Sequence, residues 1–323
     1  MRRFQIKGRI VRVESKNYYV LDNNGNEIRC VLRGKFKKQL EIKKDKLYTY
    51  DFAVIGDFVE FERLPDGSGV INRISERKNY LSRKAPRIKG LMHKGERYEQ
   101  IIAANINTLF LISSVDKPKF NNRLIDRILV AAESAGIETV IVINKVDLNT
   151  EKTDIKFWTN LYESIGYKVL LTSVVEKTGI ETLKEYLQHK VNVFWGQSGV
   201  GKSSLLNALY PGLNFRVGEI SHASQKGRHT TVTSVMKEVG EETFIIDTPG
   251  IREIEPFGIS KQDLGHYFLE FVPFIHQCKF NSCTHFHEPG CAVVQAVEKG
   301  EISIERYESY LSLLTTIEDE PNY

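Results

Sequence analysis

The run Gly196-Gln197-Ser198-Gly199-Val200-Gly201-Lys202-Ser203 has the residue types and spacing of a phosphate loop. Such a loop needs glycines so that successive backbone N–H groups, here those of 199–203, can face the α- and β-phosphates. It follows the apolar run Val191 to Trp195 and opens the amphipathic run Ser204-Leu205-Leu206-Asn207-Ala208-Leu209, so the phosphates would sit at a helix N-terminus. Lys202 would reach the β/γ oxygens, and the Ser203 hydroxyl would ligate Mg²⁺. Trp195, directly before the loop, is placed to report nucleotide binding by fluorescence.

Two further motifs supply the rest of a nucleotide site. In Asn144-Lys145-Val146-Asp147 the Asp147 carboxylate can accept from guanine N1–H and N2–H₂, a donor pair that adenine lacks. Asn144 would buttress the loop and contact the base, and the Lys145 stem would cover the ring. Ser173-Val174 would add backbone contacts at the base edge. In Asp247-Thr248-Pro249-Gly250 the carboxylate would hold Mg²⁺ through water, and the Gly250 N–H would meet the γ-phosphate and sense its loss. The order of these motifs is unusual. Ras-like enzymes run phosphate loop, DxxG, NKxD; here NKxD comes first, as in a circularly permuted chain.

Position 251 is isoleucine, where Ras-like enzymes place a water-orienting glutamine. The polar stretch Ser221 to Thr231 lies where a first switch must fall. Thr231 or Thr230 would complete Mg²⁺ coordination there, and His229 is the candidate for orienting the attacking water. Further on, Cys278-x₄-Cys283-x-His285-x₅-Cys291 offers three thiolates and one imidazole, a closed tetrahedral set for one structural Zn²⁺. His276 and His287 are alternative imidazoles.

The elements that must position these residues fall into regions. Residues 1–80 alternate as five short strands, Gly8–Glu14, Tyr18–Leu21, Glu27–Leu32, Phe52–Phe61 and Val70–Ile74, suiting an OB-like β-barrel or an SH3-like one. Residues 81–100 read as a basic linker. Residues 101–256 alternate strand and helix, which predicts an α/β domain with a parallel sheet and the motifs at the strand C-termini. Residues 257–323 read as a mainly helical zinc-binding domain. Residues 1–90 carry 22 Lys+Arg against 11 Asp+Glu, so a chain of net charge +4 hides a basic N-terminal block of +11, the electrostatic footprint of a phosphate-backbone binder. No apolar run approaches the ~18 residues of a membrane span, and the start has no secretory segment; a cytoplasmic protein is expected.

Jointly, the rotated motifs, Ala103-Ala104-Asn105-Ile106, Asn121 to Arg127, Gly227-Arg228-His229-Thr230-Thr231 and the run ending Glu288-Pro289-Gly290-Cys291 resemble the small ribosomal subunit biogenesis GTPases, the RsgA (YjeQ/EngC) family, over nearly the whole chain. The resemblance implies an OB domain, a permuted GTPase domain and a C-terminal zinc domain, in a monomer that docks on the 30S subunit and its 16S rRNA late in assembly. It implies GTP hydrolysis stimulated by the ribosome, a catalytic role for His229, and zinc ligation by Cys278, Cys283, His285 and Cys291. Ser173-Val174 departs from the family's more frequent Ser-Ala. Because the chain runs from Asp247 straight into the zinc domain, nucleotide state is expected to set the angle of 257–323 against the GTPase. A nucleotide-gated rRNA-binding checkpoint protein with incidental hydrolysis is the rival reading, and Ile251 is its support.

Overall fold

The computed structural model describes residues 5–34, 52–84, 99–149, 153–213, 235–247 and 256–317. His229, Thr230, Thr231, Gly250 and Ile251 lie outside the described residues, as does most of the basic linker.

Alternating apolar residues in the first strands turn one face of each inward. β1 (Ile6–Glu14), β2 (Asn17–Asp22), β3 (Glu27–Leu32), β4 (Phe58–Arg63) and β5 (Gly69–Ile74) enclose Ile10, Val20, Ile28, Cys30, Val59, Phe61 and Ile71. They close in the order β1-β2-β3-β5-β4-β1 with β3 and β5 parallel. That connectivity is the OB barrel and excludes the SH3-like alternative. The fourth strand starts later than the apolar run from Phe52 predicts. The fully buried Asp57 carboxylate accepts from Val54 N (2.8 Å) and takes a two-pronged ion pair from Arg77 (2.7 and 2.8 Å). Residues 52–57 therefore form a buried corner. Ile55 pairs with Ala103 there, and the Asn105 side chain donates to the Gly56 carbonyl (3.0 Å). The Ala103-Ala104-Asn105 motif thus docks the barrel onto the domain that follows.

β6 (Tyr80–Lys84) and β7 (Glu99–Ala104) form an antiparallel ribbon at the two ends of the predicted linker. β8 (Thr108–Ser114), α1 (Asn122–Ser134), β9 (Glu138–Asn144), α2 (Ile155–Ile165), β10 (Lys168–Thr172), α3 (Ile180–Leu187), β11 (Val191–Trp195), α4 (Lys202–Leu209), β12 (Val235–Gly240) and β13 (Thr243–Asp247) follow. The strands order as β10-β9-β8-β11-β13-β12, parallel except for β12. Nearly continuous apolar runs such as Val140 to Ile143 and Val193 to Trp195 are buried on both faces, as a sheet covered by helices requires. At its edge, β12 pairs with β1 at Arg12 and Val235, so the sheet runs on into the barrel.

The C-terminal unit contains α5 (Val272–Ile275), α6 (Ala292–Glu298) and α7 (Ile304–Leu314) around Leu264, Phe268, Phe271, Val293 and Tyr310. It packs on α1, whose Val130 belongs to the same apolar cluster. No helix among the described residues is long and apolar enough to cross a membrane.

Candidate nucleotide and metal sites

Because β8 to β11 and β13 are parallel, the loops after them emerge at one edge of the sheet. The β11–β13 register sets Asp247 opposite Phe194, two residues before the phosphate loop, and the β9–β10 register sets Asn144 opposite Thr172. Residues 196–204, 144–147, 173–174 and 247 are thereby brought to a single edge. The sheet order also explains the rotated motif order. The phosphate-loop strand β11 lies between β8, which precedes it by some eighty residues, and β13, which follows it. Spatial neighbourhood is kept while the chain is reopened elsewhere.

Hydrogen bonds tie the two motifs together. The Asn144 amide donates to the Val200 carbonyl (2.8 Å) and accepts from the Thr172 hydroxyl (3.0 Å), all buried. Both ends of that side chain are thus committed to bracing the phosphate loop. Lys145 adopts a left-handed backbone conformation (φ 61°), and its ammonium bonds the Gly199 carbonyl (2.6 Å) and the Lys117 carbonyl. The Ser173 hydroxyl donates to one Asp147 carboxylate oxygen (2.6 Å), which orients that carboxylate. Thr172 and Lys117 were not singled out from the sequence. Thr172 could have been, as a buried hydroxyl ending an apolar strand.

Lys202 opens α4 with Ser203 and Ser204, and its ammonium bonds the Gly196 carbonyl and the Gln197 carbonyl (3.1 Å). Burial pulls its pKa down, and the Asp247 carboxylate opposes that shift. A cation poised between loop carbonyls and a carboxylate is what a triphosphate would engage. Ser203 at the helix start and Asp247, near enough to act on the Lys202 charge, are two oxygens of the kind Mg²⁺ takes. Trp195 is 2% exposed and its indole N–H has no hydrogen-bond partner among the described residues.

In the C-terminal unit the ligand atoms of Cys278, Cys283, His285 and Cys291 lie within 4.8 Å of one another. His285 Nδ1 is 3.5 Å from the Cys278 and Cys291 sulfurs, which are 3.9 Å apart. Tetrahedral ligation at zinc bond lengths gives edges of roughly 3.6–3.8 Å, so these residues fit a zinc ion. His276 and His287 are not in the cluster. Burial pushes the Cys283 thiol up to about 12 and lowers the His285 pKa, so the imidazole is the neutral ligand form while thiol protons must be displaced by a dication.

Glu288, also absent from the sequence-based set, shapes this knuckle. Its carboxylate accepts from Thr284 N (2.7 Å), the Thr284 hydroxyl (2.6 Å), Phe286 N (3.1 Å) and His287 N (3.2 Å). Burial works against its charge, yet these donors outweigh it and hold the carboxyl down at about 2. Glu288→Ala strands those donors beside His285. We expect zinc affinity to fall about 10–100-fold, read by competition with a chromogenic chelator; unchanged affinity would remove Glu288 from the site.

Comparison with known proteins agrees with this geometry. The family model described as RsgA GTPase matches residues 74–257, and that of the RsgA N-terminal domain matches residues 7–71. The chain is 39% identical to the small ribosomal subunit biogenesis GTPase RsgA of Chlorobaculum parvum, covering 97% of this chain and 99% of that protein. It is 37% identical to the small ribosomal subunit biogenesis GTPase RsgA 2 of Bacteroides thetaiotaomicron, covering 97% and 98%. The crystal structure of YjeQ from Thermotoga maritima superposes with a TM-score of 0.76 at 35% identity, covering 97% of this chain and 98% of that one. YloQ, described as a circularly permuted GTPase, superposes at 0.70 with 30% identity, covering 99% and 98%. With a permuted sheet that gathers the phosphate-loop and guanine motifs at one edge, and with relatives matched end to end, the chain belongs to the RsgA family of circularly permuted GTPases.

Proposed function

We propose that this GTP hydrolase binds the small ribosomal subunit through its 16S rRNA and acts late in that subunit's assembly, as a cytoplasmic monomer whose hydrolysis the subunit stimulates. The observation that carries the nucleotide half is the buried bond from Asn144 to the Val200 carbonyl, which makes the guanine-reading loop and the phosphate loop one unit. The small-subunit half rests on the relatives' names and on the basic block of residues 1–90. The division of labour is a barrel over 1–80 for RNA, a linker over 81–100, the GTPase over 101–256 and a zinc-holding unit over 257–323.

In this reading Asp147 and the 173–174 backbone select guanine. The amides of 199–203 and Lys202 hold the phosphates and stabilise charge on the γ-phosphoryl as water attacks in line. Ser203, Asp247 and Thr231 would hold Mg²⁺, which would supply positive charge to offset that of the phosphates. His229 would orient the water, since Ile251 has no polar atom to do so. Cys278, Cys283, His285 and Cys291 would hold Zn²⁺ as a fold element, a closed set with no position left for substrate.

The test is GTP turnover with and without purified 30S subunits, 50S serving as control. We expect stimulation by 30S alone, and a loss of stimulated turnover of about 100-fold or more in His229→Ala with GTP and 30S binding retained. The checkpoint reading, which Ile251 favours, predicts GTP-dependent 30S binding with no stimulation.

A further inference from the structure

The outer face of the barrel along β1, β4 and β5 brings charged and aromatic side chains together. Strand register sets Lys7 opposite Glu60 and Arg9 opposite Phe58, and sets Glu60 opposite Arg73 on the far side of β4. Lys7, Phe58, Glu60, Arg73 and Ser75 line a groove of about 400 Å³. It holds an exposed aromatic ring, two exposed cations and one carboxylate. The carboxylate is partly neutralised by Arg73 at 3.6 Å.

The ring is backed by a cation. The Arg9 guanidinium lies 4.2 Å from the Phe58 centroid and 5.3 Å from that of Phe244, held between barrel and GTPase sheet. Its Nε is buried and has no hydrogen-bond partner among the described residues. One face of Phe58 is thus covered by positive charge, while the ring remains 41% exposed toward the groove. A half-buried guanidinium held on one face of a ring whose other side stays open makes a flat, cation-backed platform on which a base can stack.

We propose that this groove holds an unstacked nucleotide of single-stranded RNA, with its base on the free face of Phe58 and the flanking phosphates on Lys7 and Arg73. Resting on the RNA-binding reading of the barrel, this assigns a ligand class and residues to a surface on the β1–β4 seam. The groove has room for a base and its sugar. Lys7 and Arg73 are exposed enough to follow a backbone, and Arg73 is 70% exposed at its side chain. Aromatic stacking with a cationic border is how proteins hold single strands without a sequence code. A protein partner's acidic peptide would meet the same cations, but it would leave the ring platform unused.

The experiment uses the full chain and a fluorescein-labelled twelve-residue oligoadenylate. Lys7→Glu/Arg73→Glu should weaken binding at least tenfold and lower the slope of log affinity against log salt by about 1.4. Phe58→Leu should weaken it about tenfold, a loss of ~1.4 kcal/mol of stacking. In Phe58→Trp the added indole emission should be quenched as the oligonucleotide binds. Basal GTP turnover should match the parent chain in every variant, showing that each is folded. Unchanged affinity in the variants, or an unquenched indole, overturns the proposal. Loss of 30S affinity without any oligoadenylate binding also overturns it, in favour of a protein occupant. Parent-chain stimulation by 30S, measured alongside, separates failure of the groove from failure of the small-subunit reading.

Discussion

Arg306→Ala is expected to destabilise the protein by about 3–5 kcal/mol, because it removes one partner from a buried ion pair and strands the other. Arg306 and Asp126 are both fully buried. One guanidinium nitrogen meets Asp126 Oδ1 at 2.5 Å, and the others take both oxygens of Glu270 at 2.6 and 3.1 Å. The Tyr162 hydroxyl donates to the same Asp126 oxygen (2.8 Å), and the guanidinium lies 4.6 Å from the Phe268 centroid. Burial opposes the arginine's charge, but Asp126 and Glu270 outweigh it and hold its pKa well above the ordinary value. Chemical denaturation read by circular dichroism gives the loss directly. Arg306→Met/Asp126→Leu/Glu270→Leu removes all three charges and should recover most of it, since apolar side chains of similar volume carry no desolvation penalty. A triple variant as unstable as the single one would show that packing, not charge, is what Arg306 supplies.

The same network bears on the expected swing of residues 257–323. Asp126 belongs to α1, while Glu270 and Arg306 belong to the C-terminal unit that carries the Cys/His cluster. Moving that unit off α1 would expose or orphan a buried pair at a cost of several kcal/mol. The described part, 256–317, should therefore keep its place on α1 in the GDP and GTP-analogue forms. A scattering profile or an α1-to-α7 spin-label distance that changes with nucleotide would contradict this.

Gly201→Ala should lower guanine nucleotide affinity by about 100-fold or more, and Gly199→Ala by about tenfold. Both glycines have positive φ, 98° and 85°, so both alanines carry strain of about 1–3 kcal/mol. Their surroundings differ. A Cβ at 199 would meet only Pro118 Cδ at 3.6 Å, an ordinary contact. At 201 it would lie 2.4 Å from Asn144 Nδ2, the atom that braces the loop through the Val200 carbonyl. The second substitution must therefore part the loop of residues 144–147 from the phosphate loop. Titration with a fluorescent GDP analogue measures both variants. Equal losses would mean that backbone strain alone acts, and that the Asn144 brace contributes nothing to binding.

The chemistry of the site was legible because each motif carries its donors within a few contiguous residues. The loop of 196–203 with its glycines, the Asn144 to Asp147 run and the Cys/His spacing can each be read without knowing where the chain goes next. The amphipathic and fully apolar periods likewise separated the barrel strands from the parallel sheet. His229, Thr231 and Gly250 lie outside the described residues, so their roles stand on the sequence alone. What remained hidden in the sequence was every pairing between distant residues. Nothing local marks Asp126 as the partner of Arg306 or Asp57 as that of Arg77, and a buried charge looks like a surface one until its partner is placed.

The sequence by itself determined the reaction class and the Cys/His group that could hold a metal, because side-chain chemistry at short spacing is set by covalent proximity. The OB order of the barrel, the anchoring of the Cys/His-bearing unit on α1, the brace between Asn144 and the phosphate loop and the groove beside Phe58 were decided only by tertiary structure. Each depends on strand register or on which helix faces which, and those follow from packing the whole chain around shared cores.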